Sequence, residues 1–264
     1  MLFLLPMSFL RPQPCIPVPR PPTPHAHSHQ ALGTEQRRPW ETALKAQPAR
    51  LLGLFAVDEW AARHGMHIVE RSLAKQVSAQ LLDGAPVGFW TDLEEPVDLP
   101  EGIAVEHADL GFAVSLDDGC SPFPNTLHLV PRIAVVGVGC RRGTDVAVLE
   151  RCVDAALDAA HVSRHAVRTL ASIDVKRDEP AIAQLAAARE WDTRFYSAEE
   201  LSAVSGDFTA SSFVKDVVGV DNVCERSAVA AGGRLVGRKR AGDGVTVAIA
   251  IRDERQGYLS KGDS

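Results

Sequence analysis

The run Arg132-Ile-Ala-Val-Val-Gly-Val-Gly139 constrains the fold more than any other feature of the chain. It is short, apolar and β-branched, with no polar alternation, which suits a strand covered on both faces in a parallel sheet. A polar turn follows, and then Asp145 to His161 repeats apolar residues at helical spacing: Val146, Leu149, Val153, Ala156, Leu157 and Ala160. Thr144 is the expected N-cap. A buried strand, a tight turn and an amphipathic helix in succession make a βα unit, and a βα unit calls for further parallel strands.

The sequence supplies them. VRTLASID reads as the next strand, and DEPAIAQLAAARE as a helix with Pro180 in its first turn. DTRFYS reads as a third strand, and SAEELSAV as a helix opened by Ser197 and Glu200 in capping-box spacing. Two more helical pieces, SSFVKDVV and NVCERSAVAA, precede a hairpin of GRLVGRK and GVTVAIAI joined through Gly242 and Gly244. The expected architecture is a three-layer α/β/α domain over residues 127–254, with a flexible tail at 255–264.

Upstream, residues 51–126 read as a small α/β unit. Helices in LLGLFAVDEWAARHG and ERSLAKQVSAQLLDG stop at Gly65 and Gly84, and strands in VGFW and FAVS flank an acidic loop from Asp92 to Glu101. Residues 1–50 are expected to form a disordered tail, because RPQPCIPVPRPPTP lacks backbone donors and large apolar residues. His25, His27 and His29 alternate there. Alternation is one way to collect imidazoles around a metal, and a solvated linker accounts for it as simply. No resident metal or cofactor is otherwise indicated.

Charge and cysteine content remove several function classes. A formal charge of -6 over 264 residues argues against a nucleic-acid surface, so any anion site is local. The five cysteines are scattered and never form C-x-x-C, which suggests neither a disulfide framework nor a zinc ribbon and fits a reducing, cytoplasmic setting. The apolar start MLFLLPMSFL lacks a basic leader and contains Pro6, and no later stretch reaches the roughly 18 apolar residues of a membrane span.

Three clusters are candidates for chemistry. The first, Gly137, Gly139, Cys140, Arg141, Arg142, Gly143 and Thr144, lies between a strand and a helix start, where amides and two guanidiniums converge on an anion. It is neither the dinucleotide fingerprint nor a P-loop, which favours carboxylates over phosphates; the alternative is a tight turn with solvated arginines. The second is Ser172, Asp174, Lys176 and Glu179 at the end of the next strand, where an acid guides water and a lysine stabilises an oxyanion, or where Lys176 merely pairs with its neighbours. The third, Ser212, Asn222 and Glu225, offers polar groups at two helix starts, and capping alone explains most of it.

Taken together, GVGCRRGT, SIDVKRDEP, RFYSAEEL, SSFVKDVVGVDNVCE and VTVAIA stand in an order and spacing that resemble the C-terminal domain of the CbiG family of cobalamin biosynthesis, a domain that also occurs alone as CobE. The preceding residues, from Phe55 to Val130, resemble that family's linker domain. The resemblance implies a cobalt-precorrin-5A hydrolase, which opens the ring A lactone of a corrin precursor and releases acetaldehyde. It implies a cobalt-precorrin as ligand and other cobalamin-pathway enzymes as partners, while charge and hydropathy, as above, argue against nucleic acid and membrane as partners. Family members carry a further N-terminal domain with a Ser-Gly-His and a Gly-Gly-Ala-Asn segment, and neither occurs here. The expectation is therefore a truncated or split hydrolase, with a non-catalytic module that binds and delivers the corrin intermediate as the alternative.

Overall fold

The computed structural model of the chain describes residues 56–93, 99, 103–104, 108–209 and 221–252. The expected tails at 1–50 and 255–264, the helix in SSFVKDVV, Ser212 and most of the acidic loop lie outside the described residues. The described residues form two compact units: the first takes most of the chain up to Leu129, and the second takes the rest from Val130 together with Ala61–His67 and Leu116–Asp118.

The first unit carries a five-stranded sheet of β1 (Met66–Ile68), β2 (Val87–Thr91), β3 (Ile103–Ala104), β4 (Leu110–Val114) and β5 (Asn125–Pro131), in the order β1-β5-β4-β2-β3. The β2/β3, β2/β4 and β4/β5 pairs are all parallel. Helix α1 (Val57–Arg63) contributes Trp60, whose ring meets Phe112 edge-on at 5.9 Å. Phe123 lies across Gly88 and Gly111, and a Cβ at either glycine would overlap its ring. Helix α2 (Arg71–Leu82) buries Ala74 and Val77. Strand β5 was not legible in NTLHLVP, where Pro124 stands directly before it and His128 interrupts the apolar run.

The second unit follows the expected alternation closely. Strands β6 (Ala134–Cys140), β7 (Val167–Ile173) and β8 (Asp192–Tyr196) run parallel, and the hairpin β9 (Gly233–Gly242) and β10 (Val245–Arg252) adds antiparallel strands beside β6, for the order β8-β7-β6-β10-β9. The hairpin turns through Asp243 and Gly244, at φ 51° and 77°, as a two-residue turn with both φ positive requires.

Helices cover both faces of this sheet. On one face α6 (Val223–Gly232) packs so closely on β6 that a Cβ at Gly137 would overlap the Cys224 carbonyl and Ala228, while Gly232 sits over Val135. The helix therefore runs antiparallel to β6, with its N-terminus toward the carboxyl ends of β6, β7 and β8. On the other face, Ala160 at the end of α3 (Val146–Ala159) meets Ile249 and Gly237. Helix α4 (Pro180–Arg189) packs on α3, and α5 (Ala198–Ala203) packs on α6. These are the expected three layers.

Candidate functional site

Parallel strands bring three connections to one edge: the loop after Cys140, the segment after Ile173, and the start of α5 after Tyr196. The β9/β10 turn lies there too, since Arg141 N–H donates to the Gly244 carbonyl at 3.2 Å. Two of the three sequence clusters are thus drawn together.

The arginine loop is held at each position. Gly143 adopts φ +71°, which favours glycine, and in that conformation its N–H donates to Glu179 Oε1 at 2.8 Å. Thr144 Oγ1 donates to the Arg141 carbonyl at 2.8 Å. The N-cap of α3 is Asp145 rather than the expected Thr144: Asp145 Oδ1 accepts from Ala147 N–H at 2.7 Å, and the Thr144 hydroxyl faces back into the loop. Arg141 rests its stem against Gly244. The side chains of Arg141 and Arg142 are exposed, and among the described residues neither guanidinium takes part in an ion pair.

Glu179 explains the order of the loop. Its side chain is only 5% exposed, and its second oxygen, Oε2, meets Lys176 Nζ at 3.4 Å. One carboxylate thus ties the arginine loop to the segment after β7. Asp174, by contrast, opens a 3-10 turn (Asp174–Lys176) with its side chain exposed. Ser172 is fully buried and donates to the Val138 carbonyl at 2.8 Å, a bond within the sheet. Gly137 and Gly139 are likewise covered: α6 lies over the first, and the Thr246 hydroxyl lies where a Cβ of the second would be.

Cys140 ends β6 beside this cluster. Burial raises its thiol above the ordinary range, Lys176 and a hydrogen bond with Thr144 pull it down, and Glu179 pushes it further up. The net effect keeps the sulfur protonated, which does not suit a nucleophile.

The third cluster is internal. Asn222 stands in the left-handed region at φ 53° and is 1% exposed. Its Oδ1 caps α6 by accepting from Glu225 N–H at 3.2 Å, and its Nδ2 donates to Glu225 Oε2 at 2.6 Å and to the Thr209 carbonyl at 2.8 Å. Glu225, with no exposed surface, also accepts from Thr209 N–H at 2.7 Å, from Thr209 Oγ1 at 2.9 Å and from Lys239 N–H at 2.7 Å. Thr209 and Lys239 carried no local signal; only the fold brings them to Glu225. The neighbouring Cys224 thiol is pushed up to about 11 by burial, against an opposing hydrogen bond from Thr246.

The resulting edge is a basic rim, Arg141 and Arg142, on a rigid base, with Asp174 exposed beside it. Free guanidiniums on a fixed loop match carboxylates in pairs. Among the described residues, no helix is long and apolar enough to cross a membrane.

Two family descriptions match the chain in tandem: "Cobalamin biosynthesis central region" over residues 55–131 and "Cobalamin synthesis G C-terminus" over residues 134–250. Cobalt-precorrin-5A hydrolase of Salmonella typhimurium is 30% identical over 200 residues, covering 69% of this chain and 55% of that protein. The same-named protein of Priestia megaterium is 30% identical over 125 residues, covering 46% of this chain and 33% of the relative. The chain therefore spans about half or less of the curated relatives it matches. Among solved structures, CobE, a protein from the cobalamin (vitamin B12) biosynthetic pathway, is 32% identical, covering 46% of this chain and 91% of CobE at a TM-score of 0.43. The chain belongs to the cobalamin synthesis G (CbiG) family, and carries that family's central region followed by its C-terminal domain.

Proposed function

We propose that this chain acts in the cytoplasm on a cobalt-precorrin, as a protein of the cobalt-precorrin-5A hydrolase type, and that the edge of its second unit holds the peripheral carboxylates of the corrin precursor. The observation that carries this reading is the pair of exposed, unpaired guanidiniums on a loop pinned through Gly143 to Glu179. A corrin precursor presents several acetate and propionate groups, and each charge-assisted contact contributes about 1.5–3 kcal/mol. Arg141 and Arg142 bind; Gly143 and Thr144 fix the loop; Lys176 and Glu179 form its base, and Asp174 is the exposed acid that guides water.

The second reading, a module that binds and delivers the intermediate without turning it over, draws support from one observation. Glu179 and Lys176, two of the three residues nominated for hydrolysis, are bonded to one another, and Glu179 is buried. Substrate entry has to break that pair before either group acts.

One experiment separates the readings. The purified chain is incubated anaerobically with cobalt-precorrin-5A while its spectrum and acetaldehyde are followed. Catalytic release of acetaldehyde supports the hydrolase reading, and a stoichiometric spectral shift alone supports the binding module. Absence of both sinks the corrinoid assignment. Under either reading, Arg141→Ala with Arg142→Ala lowers affinity by about tenfold or more.

A further inference from the structure

We propose that Ser121, His128 and Glu70 of the first unit form an acyl-transfer row that opens an ester or lactone by way of a Ser121 acyl intermediate. The three residues come from different elements. Glu70 is the N-cap residue of α2, Ser121 lies in the turn before β5, and His128 stands in the middle of β5. The Glu70 side chain makes no helix cap bond; instead its Oε1 lies 2.8 Å from His128 Nδ1, and its Oε2 accepts the His128 backbone N–H at 2.8 Å. One carboxylate oxygen thus orients the imidazole at Nδ1 while the other holds the backbone of the same residue. His128 Nε2 then lies 3.4 Å from Ser121 Oγ, and Ser121 is exposed while His128 is buried. Nucleophile, base and orienting carboxylate thus follow one another in the order that activates a serine.

A second oxygen lies near the base. The Cys120 carbonyl lies 3.0 Å from His128 Nε2. The row requires the Nδ1–H form, in which Nδ1 donates to Glu70 Oε1 and Nε2 carries a lone pair. The carbonyl has no proton to offer that lone pair, whereas the Ser121 hydroxyl does. Once the serine proton reaches Nε2, the carbonyl becomes its acceptor. The carbonyl already stands 3.0 Å from Nε2, nearer than the Ser121 hydroxyl at 3.4 Å, so it is in place to accept from the imidazolium.

The step balances without a co-reactant beyond water. Ser121 Oγ bonds to the acyl carbon as its proton passes to His128 Nε2. The tetrahedral adduct then expels the alkoxide, which takes the proton back from Nε2. Water, deprotonated by the same nitrogen, cleaves the acyl-serine to give a carboxylic acid and restores Ser121. For a lactone the expelled alkoxide stays in the product as a hydroxyl. The substrate class, an ester or lactone, follows from the row's own chemistry and is independent of the ligand proposed for the edge of the second unit.

The test uses a fluorophosphonate on the full chain, with peptide mapping. The expected result is one adduct, at Ser121, which Ser121→Ala abolishes and Glu70→Gln slows on the order of a hundredfold or more. No adduct at Ser121, or a wild-type rate in Glu70→Gln, overturns the proposal. So does an imidazole nitrogen spectrum in which Nε2 already carries a proton at the assay pH. Corrinoid binding is measured in the same wild-type chain, so that a failed adduct with an intact spectral shift removes the acyl-transfer row and leaves the carboxylate-binding edge standing.

Discussion

Glu179 and Glu225, the two buried carboxylates of the second unit, look alike in the chain. Each stands three residues after a polar partner, Lys176 in one case and Asn222 in the other, and each lies at or near the start of a helix. In the fold they differ. Glu179 has one neutral donor and one cation, and its lysine partner is still 17% exposed. Among the described residues, Glu225 has no cation within hydrogen-bond reach; four donors from residues 209, 222 and 239 surround it. The first carboxylate joins two segments at a solvent edge, where they meet ligand. The second closes a polar knot inside the protein, where oriented N–H and O–H dipoles stabilise its charge. Burial alone therefore does not mark a functional acid; what surrounds it does.

The sharpest way to break this contrast is to remove each carboxylate. Glu225→Ala leaves the Thr209 and Lys239 amides and the Thr209 hydroxyl without their acceptor and takes one of two acceptors from Asn222 Nδ2, and is expected to cost about 3–5 kcal/mol in urea unfolding. A loss below about 1 kcal/mol would show that water replaces those bonds and that the knot is not closed. Glu179→Gln keeps an acceptor for Gly143 N–H and discards the charge facing Lys176. Its expected cost is about 1 kcal/mol, together with weaker corrinoid binding as the loop loses its tie. An equal loss of stability in the two variants would erase the distinction.

The two thiols beside these carboxylates sharpen it with almost no change in stability. Cys140 and Cys224 both have raised pKa values with burial as the leading cause, and Cys224 reaches about 11. Alkylation mapped by mass spectrometry at pH 8 is expected to reach Cys140 slowly and Cys224 not at all, with both rates rising as the pH rises. In the fold Cys224 keeps its proton where an unfolded thiol has lost it. Its contribution to stability is therefore complete below pH 9.0 and is lost as the pH climbs through about 11. Faster labelling of Cys224 than of Cys140 in the native protein would mean that the start of α6 opens to solvent.

Much of this protein was determined by local sequence. The apolar run at Ile133–Val138, the helical stripe from Val146 to Leu157, the Ser197/Glu200 capping box and Pro180 at a helix start each act within a few residues, and each forms as its pattern requires. Alternation of strand and helix then fixed parallel pairing, and parallel pairing placed the arginine loop and the Asp174–Glu179 segment on one edge. Strand β5 and the capping role of Asp145 were harder to read, because several polar residues in a row compete for one cap and a half-polar strand resembles a loop.

Tertiary structure decided which polar residues face solvent and which face each other. Asn222, Glu225 and Ser172 carry the same donors and acceptors in sequence whether they meet a ligand or a backbone; only the fold brings Thr209, Lys239 and the Val138 carbonyl to them. Ser121, His128 and Glu70 give no signal along the chain, since 58 residues separate the acid from the base. Hydrophobic periodicity is a short-range property, written within a turn or two of helix or strand. Hydrogen-bond partnership at a site is long-range, and it exists only once the strands have registered.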